Sequence, residues 1–139
     1  MKIKLRTGYF AKVTQYRLEG FIPVSIARWS PKWFSGPALP ELAPSEDLLT
    51  KYKTGSVSEE DYIKEYDEQL QSINVFKSIQ SLAKYITPET VGIVLCCYEK
   101  PGDFCHRHRL ANELREKYNV TIQEFSDEDI IRGDHRFDI

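Results

Sequence analysis

Polar and apolar residues alternate at the start of the chain, where Lys2, Ile3, Lys4, Leu5 and Arg6 show the period of two expected of a strand with one buried face. A turn follows at Gly8 and Tyr9. Phe10, Val13, Tyr16 and Leu18 then recur at helical spacing, and Gly20 stands where a left-handed residue ends a helix. FIPVSIAR, residues 21 to 28, is rich in β-branched and aromatic residues and predicts a buried strand with Arg28 at its C-terminal end. Residues 30 to 58 hold four prolines among Trp33, Phe34, Leu48, Leu49 and Tyr52, a pattern too broken for a long helix and too apolar for a linker. An ordered functional loop with one short helix near 45 to 53 is expected.

Ser58 followed by Glu59, Glu60 and Asp61 is a helix N-cap with an acidic first turn, and Tyr62, Ile63, Tyr66 and Leu70 continue it to about residue 72. Beyond Asn74 a second apolar stripe, Val75, Phe76, Ile79, Leu82, Ala83 and Ile86, ends before Thr87 and Pro88. VGIVLCCY, residues 91 to 98, is a continuous apolar run bounded by turn residues, as a central strand covered on both faces requires. A turn at Pro101 and Gly102, with Asp103 as a cap, leads into a helix from Cys105. Its apolar face is Leu110, Leu114 and Tyr118, and Arg109, Glu113 and Glu116 lie opposite. VTIQEF at 120 to 125 predicts a short last strand, and Ser126 with three following acids a further helical turn. Alternating strands and helices in 139 residues predict one α/β domain over residues 1 to 139, a three-layer sandwich with a mainly parallel central sheet and helices on both faces.

Composition adds limits. Hydrophobic residues make up 41% and charged residues 29%, an ordinary globular mix. With 19 basic and 21 acidic residues the formal charge is -2, so no global field draws the chain to nucleic acid or an anionic membrane, although a local basic patch is compatible with it. No run approaches a membrane span and the N-terminus does not read as a signal peptide, so a cytoplasmic location is expected. Cys96, Cys97 and Cys105 cannot all pair within one chain, and this usage fits a reduced compartment.

In parallel sheets ligands bind where loops and helix N-termini meet the C-terminal strand ends, which points to residues 97 to 107. There the free amides of a helix start meet Cys105, His106 and Arg107, a setting that suits an anion. Cys105 in a first helical turn is where a thiolate is favoured, with His106 as partner or proton shuttle and Glu99 as acid or orienting carboxylate. The bland alternative is that the cysteines are packing and Glu99 only holds a neighbour in place. The loop of cysteine phosphatases does not fit, because nine residues separate Cys97 from Arg107 where that loop has five. For zinc, Cys97, Cys105, His106, His108 and His135 supply ligand types without a short paired spacing, so no metal is expected. Arg28, Lys53 and Trp33 come from positions that reach the same end of the sheet.

The segment CYEKPGDFCHRHRLANEL, preceded by an apolar strand, resembles the hallmark segment of the family known as domain of unknown function 488 (DUF488). The likeness extends through TGYF, VSIARWSPKWF and LAPSEDLLTKYKTGSVSEEDYIKEYDEQL to the final helix, as in a short stand-alone member. It implies a compact α/β domain and leaves the reaction open. Its family-like positions here are Tyr9, Arg28, Lys53, Tyr62, Tyr66, Cys97, Glu99, Cys105, His106 and Arg107.

Three functional expectations result. The first is a pocket for a small anionic or nucleotide-like ligand, with Arg107 in the anion cradle, Arg28 and Lys53 as second contacts, Tyr9, Trp33, Tyr62 and Cys97 around them, and cysteine-dependent chemistry on that ligand as an extension. No cofactor is specified. The second is a non-enzymatic binding module for nucleic acid that stacks bases on Trp33, Tyr62 or Tyr66. The third is a structural network in which the HRHR segment locks Glu99 and Asp103 and a protein partner binds elsewhere.

Overall fold

The computed structural model describes residues 3 to 98 and 106 to 130. Its strands are β1 (Lys4–Tyr9), β2 (Phe21–Ser25), β3 (Gly92–Cys97) and β4 (Gln123–Glu124). The helices are α1 (Val13–Leu18), α2 (Glu46–Lys53), α3 (Glu59–Gln71), α4 (Val75–Gln80) and α5 (His106–Tyr118). All pairings are parallel, in the order β2-β3-β1-β4, so the fully buried strand β3 is flanked on both sides.

Local chemistry accounts for the boundaries. Gly20 takes φ 87° and ends α1. Ser45 and Ser58 cap α2 and α3, their hydroxyls accepting from the amides of Leu48 and Asp61 at 3.1 Å. Acidic residues occupy both first turns. The stripe beyond Asn74 forms helix only as far as Gln80 and then tightens into a 3-10 turn over Ser81–Tyr85. The last strand is shorter than its alternation suggests and pairs only at Arg6 with Gln123 and Thr7 with Glu124. The cap at Asp103 lies outside the described residues.

The crossovers decide which face each helix covers. From β1 the chain passes over β3 to the far edge, and from β2 it returns, so right-handed connections must place the first helix on one face and the later ones on the other. Phe10, Val13, Tyr16, Phe21, Val94 and Cys96 accordingly form a small core on the α1 face. The larger core joins Val24, Ile93 and Leu95 to Tyr66 and Leu70 of α3 and to Leu110 and Leu114 of α5. This is the three-layer architecture expected.

Gly8 illustrates how closely α1 sits on the sheet. A Cβ there would come within 2.5 Å of the Tyr16 hydroxyl and 2.7 Å of Val94. That hydroxyl instead accepts from the Tyr9 amide at 3.2 Å. Glu113, expected on the solvent side of α5, is buried with its Oε2 3.9 Å from Lys117 Nζ. Among the described residues no helix is long and apolar enough to cross a membrane.

Candidate functional site

The direction of winding reverses between β1 and β3, because the chain leaves β1 toward the α1 face and β3 toward the α5 face. A parallel sheet opens a crevice at such a place, here between the adjacent ends Tyr9 and Cys97. Arg107, in the first turn of α5, fills its floor. The side chain is wholly inaccessible to solvent. Its Nε and Nη2 each donate at 3.0 Å to one carboxylate oxygen of Glu124, and Nη1 donates to Cys97 Sγ at 3.0 Å. The guanidinium carbon lies 5.9 Å from the Tyr9 ring centre, and the Thr7 hydroxyl donates to Glu124 at 2.6 Å. The planar fork of arginine thus meets a planar carboxylate, an arrangement that lysine could not reproduce. Arg107 thus ties α5 to β3 and β4 through Cys97 and Glu124, a buried position for a residue expected in the anion cradle.

Beside this centre, above the ends of β2 and β3, opens a cavity of about 260 Å³. Trp29, Tyr52, Tyr62 and Tyr98 supply aromatic walls, Arg28 and Lys53 supply charge, and His106 lies at its base with Ala27, Pro44 and Leu49. Tyr62 is held by ring contacts to Tyr52 at 4.7 Å and to Tyr66 at 6.4 Å. The Tyr66 hydroxyl donates to the Leu42 carbonyl at 2.5 Å, and burial keeps it protonated far above the ordinary phenol range. Arg28 donates from Nε to the Pro44 carbonyl and from Nη2 to that of Ala43, so it also closes the preceding loop. Lys53 stands exposed at the mouth in the last turn of α2, whereas Lys51 is paired with Asp47 at 3.0 Å. Among the described residues neither Arg28 nor Lys53 forms an ion pair, and no carboxylate lines the cavity.

His106 is a neutral group. Burial, reinforced by the charges of Arg107 and His108 and partly opposed by the Ile26 carbonyl, lowers its pKa to about 4. A carbonyl only accepts, so the 2.8 Å contact to Ile26 places the proton on Nε2 and leaves Nδ1 as the ring's acceptor. Arg109 leaves the site altogether and clamps Asp67 of α3 at 3.1 and 2.6 Å.

Of the expected residues, the structure brings Arg28, Lys53, Tyr62 and His106 together around the cavity. Tyr9 and Cys97 border the Arg107 centre. Trp33 stands outside the cavity, 62% exposed, with its ring edge-on to Phe10 at 6.4 Å. Glu99 and Cys105, with Asp103 and His135, lie outside the described residues. Cys96 is a free buried thiol whose pKa burial pushes up to about 12, while Cys97 is disulfide-bonded, where cysteine usage had suggested a reduced compartment. Among the described residues the partners of the HRHR segment are Glu124 and Asp67, while Glu99 and Asp103 lie outside the described residues. Among the described residues no group of His, Cys, Asp or Glu is arranged to hold a metal.

Sequence reasoning missed Glu124, Trp29, Tyr52 and Tyr98. Glu124 was detectable in principle, since Arg107 shares the face of Leu110 and Leu114 at i, i+3 and i+7 and a buried guanidinium demands an acid. No curated protein matches the chain, and no solved structure matches it. The family model described as the active DUF488-N3 subclade matches residues 21–118. With more than half its length covered by that match, the chain belongs to the DUF488 family.

Proposed function

We propose that this chain binds a small nucleotide-like anion in the cavity above β2 and β3. The observation that carries the reading is the composition of the lining: four aromatic side chains, two cations without acidic partners, and no carboxylate among the described residues. Aromatic walls accept a flat ring, and cations at the rim favour a phosphate or carboxylate on its substituent. The volume lies just below the range of about 300–1,000 Å³ usual for small-molecule sites, which suits one ring system and not two.

Calorimetric titration with the four nucleoside monophosphates, the uncharged nucleosides and inorganic phosphate tests this. Binding of at least one monophosphate more tightly than its nucleoside, weakened about tenfold by Lys53→Ala as the loss of one charge-assisted contact would be, is expected. Monophosphates that bind no better than nucleosides and phosphate alone would end the proposal.

A second reading adds chemistry. Here, in the reduced protein, Cys105 is the nucleophile, its thiolate favoured at the start of α5, and neutral His106, too weak a base at a pKa of about 4 to keep the thiol proton, offers only its accepting nitrogen as a hydrogen-bond partner. Glu99 serves as the acid or orienting carboxylate. The matching subclade is described as active, which favours this extension. Peptide-resolved alkylation of the reduced protein tests it, with buried Cys96 as the inert internal standard. A midpoint for Cys105 no lower than the ordinary thiol value of about 8.5 would remove the nucleophile.

A further inference from the structure

We infer that the cavity takes its nucleotide as part of a single-stranded nucleic acid, whose neighbouring bases and phosphates run over an aromatic, basic track beginning at the cavity rim. The inference rests on the nucleotide-like reading of the cavity and names the substrate class.

The track is continuous. Tyr98 and Trp29, both 54% exposed, are joined by a 2.7 Å bond from the Tyr98 hydroxyl to the Trp29 carbonyl, and both line the cavity. Tyr98 meets Phe10 at 5.0 Å between ring centres, and Phe10 in turn meets Trp33 at 6.4 Å and Phe34 at 5.3 Å. Phe10 is buried and serves as the hub, with Trp29 and Trp33 exposed on either side of it. Exposed aromatics gathered at one site mark a binding surface.

Charge selects the partner. Residues 1 to 40, which supply most of this track, hold seven lysines and arginines against Glu19 alone, while the remaining 99 residues hold 12 basic and 20 acidic. The near-neutral total conceals this division. Lys12 follows Phe10 by two positions, Lys32 adjoins Trp33, and both are exposed. Arg28 and Lys53 continue the basic surface to the cavity. Glu19, the one acid of that segment, is buried. A surface that carries both rings and cations suits a chain of bases joined by phosphates, and the rings are useful only where bases are unpaired. A purely apolar partner gains nothing from the cations, and a duplex offers the rings no exposed base face.

The test compares a single-stranded DNA decamer containing all four bases, the same sequence as RNA, the matching duplex and the four nucleoside monophosphates, by fluorescence polarisation and calorimetry. The single strand is expected to bind at least tenfold more tightly than any monophosphate. Affinity should fall with salt at a logarithmic slope near -2, about -0.7 for each phosphate contact. Trp33→Ala should lower the decamer-to-monophosphate affinity ratio by about 5- to 100-fold, as loss of one stacked base does. Lys12→Glu with Lys32→Glu should flatten the salt slope. Preference between the DNA and RNA strands identifies the physiological polymer.

A decamer no tighter than the monophosphates overturns the inference and leaves the cavity proposal standing, whereas failure of both to bind overturns both. A duplex that binds as tightly as the single strand removes the stacking argument. Decamer affinity untouched by Lys53→Ala would detach the track from the cavity and refute a shared site.

Discussion

Arg107 and Lys53 are two cations near the same end of one sheet, in opposite circumstances. The first is sealed from solvent and meets Glu124, Cys97 and the face of Tyr9. The second projects from the last turn of α2 at an aromatic mouth, without an ion pair among the described residues. A charge taken out of water must be matched inside the protein, so burial commits an arginine to the fold. An exposed charge beside apolar walls stays available to whatever enters. A place among the family-like positions therefore did not distinguish a sealed cation from an exposed one.

The strongest way to break this comparison is Arg107→Met. It should cost about 3–5 kcal/mol of stability, the usual loss when one partner of a buried pair is removed, with Glu124's partial exposure favouring the lower figure. Urea midpoints would record it, and a loss below about 1 kcal/mol would mean that Arg107 is not the tie described. His106 gives the next effect. Its folded pKa of about 4 lies below the ordinary histidine value of 6.5, so the unfolded chain binds more protons between them. Stability from this group is complete above pH 6.5 and is lost as pH falls toward 4, by roughly 3 kcal/mol in all. His106→Gln should flatten that part of the urea-midpoint profile.

Tyr66→Phe is smaller. It strands the Leu42 carbonyl in the core and should cost about 1–3 kcal/mol in urea unfolding without changing the cavity lining. Lys53→Ala completes the contrast, with a change within about 0.5 kcal/mol of stability and all of its effect in ligand titration. Were Lys53→Ala to unfold the protein while Arg107→Met only weakened binding, the roles assigned to the two cations would be reversed.

Much of the architecture was legible because it depends on local signals. Ser45, Ser58 and Gly20 mark helix ends through groups within a few residues, and the unbroken run in β3 marks a central strand. The site was legible only in part. Arg28 and His106, which line the cavity, were expected there because strand ends and the following helix start define a place in parallel sheets, while Lys53 and Tyr62 were named from a loop position and from the family resemblance. Tyr52 and Tyr98 join them through the packing of α2 and the exit from β3, which spacing does not encode. The Arg107 to Glu124 pairing crosses 17 residues of chain and depends on how α5 leans over the sheet. Trp33 was expected at the same end of the sheet from its loop position, and its distance from the cavity follows from Phe10, which holds it on the α1 side.

The strand order also governs how this chain can be made. β1 and β2 do not touch one another, and each must wait for β3, which ends at Cys97. On the ribosome, at about 5–20 residues per second, these two strands therefore spend several seconds without a ladder partner. No sheet exists to be protected until β3 is inserted between them. Synthesis should pass through a chaperone-dependent interval that ends as residues 92 to 97 leave the exit tunnel, and a nascent chain stalled before that point should be open to protease along its whole length.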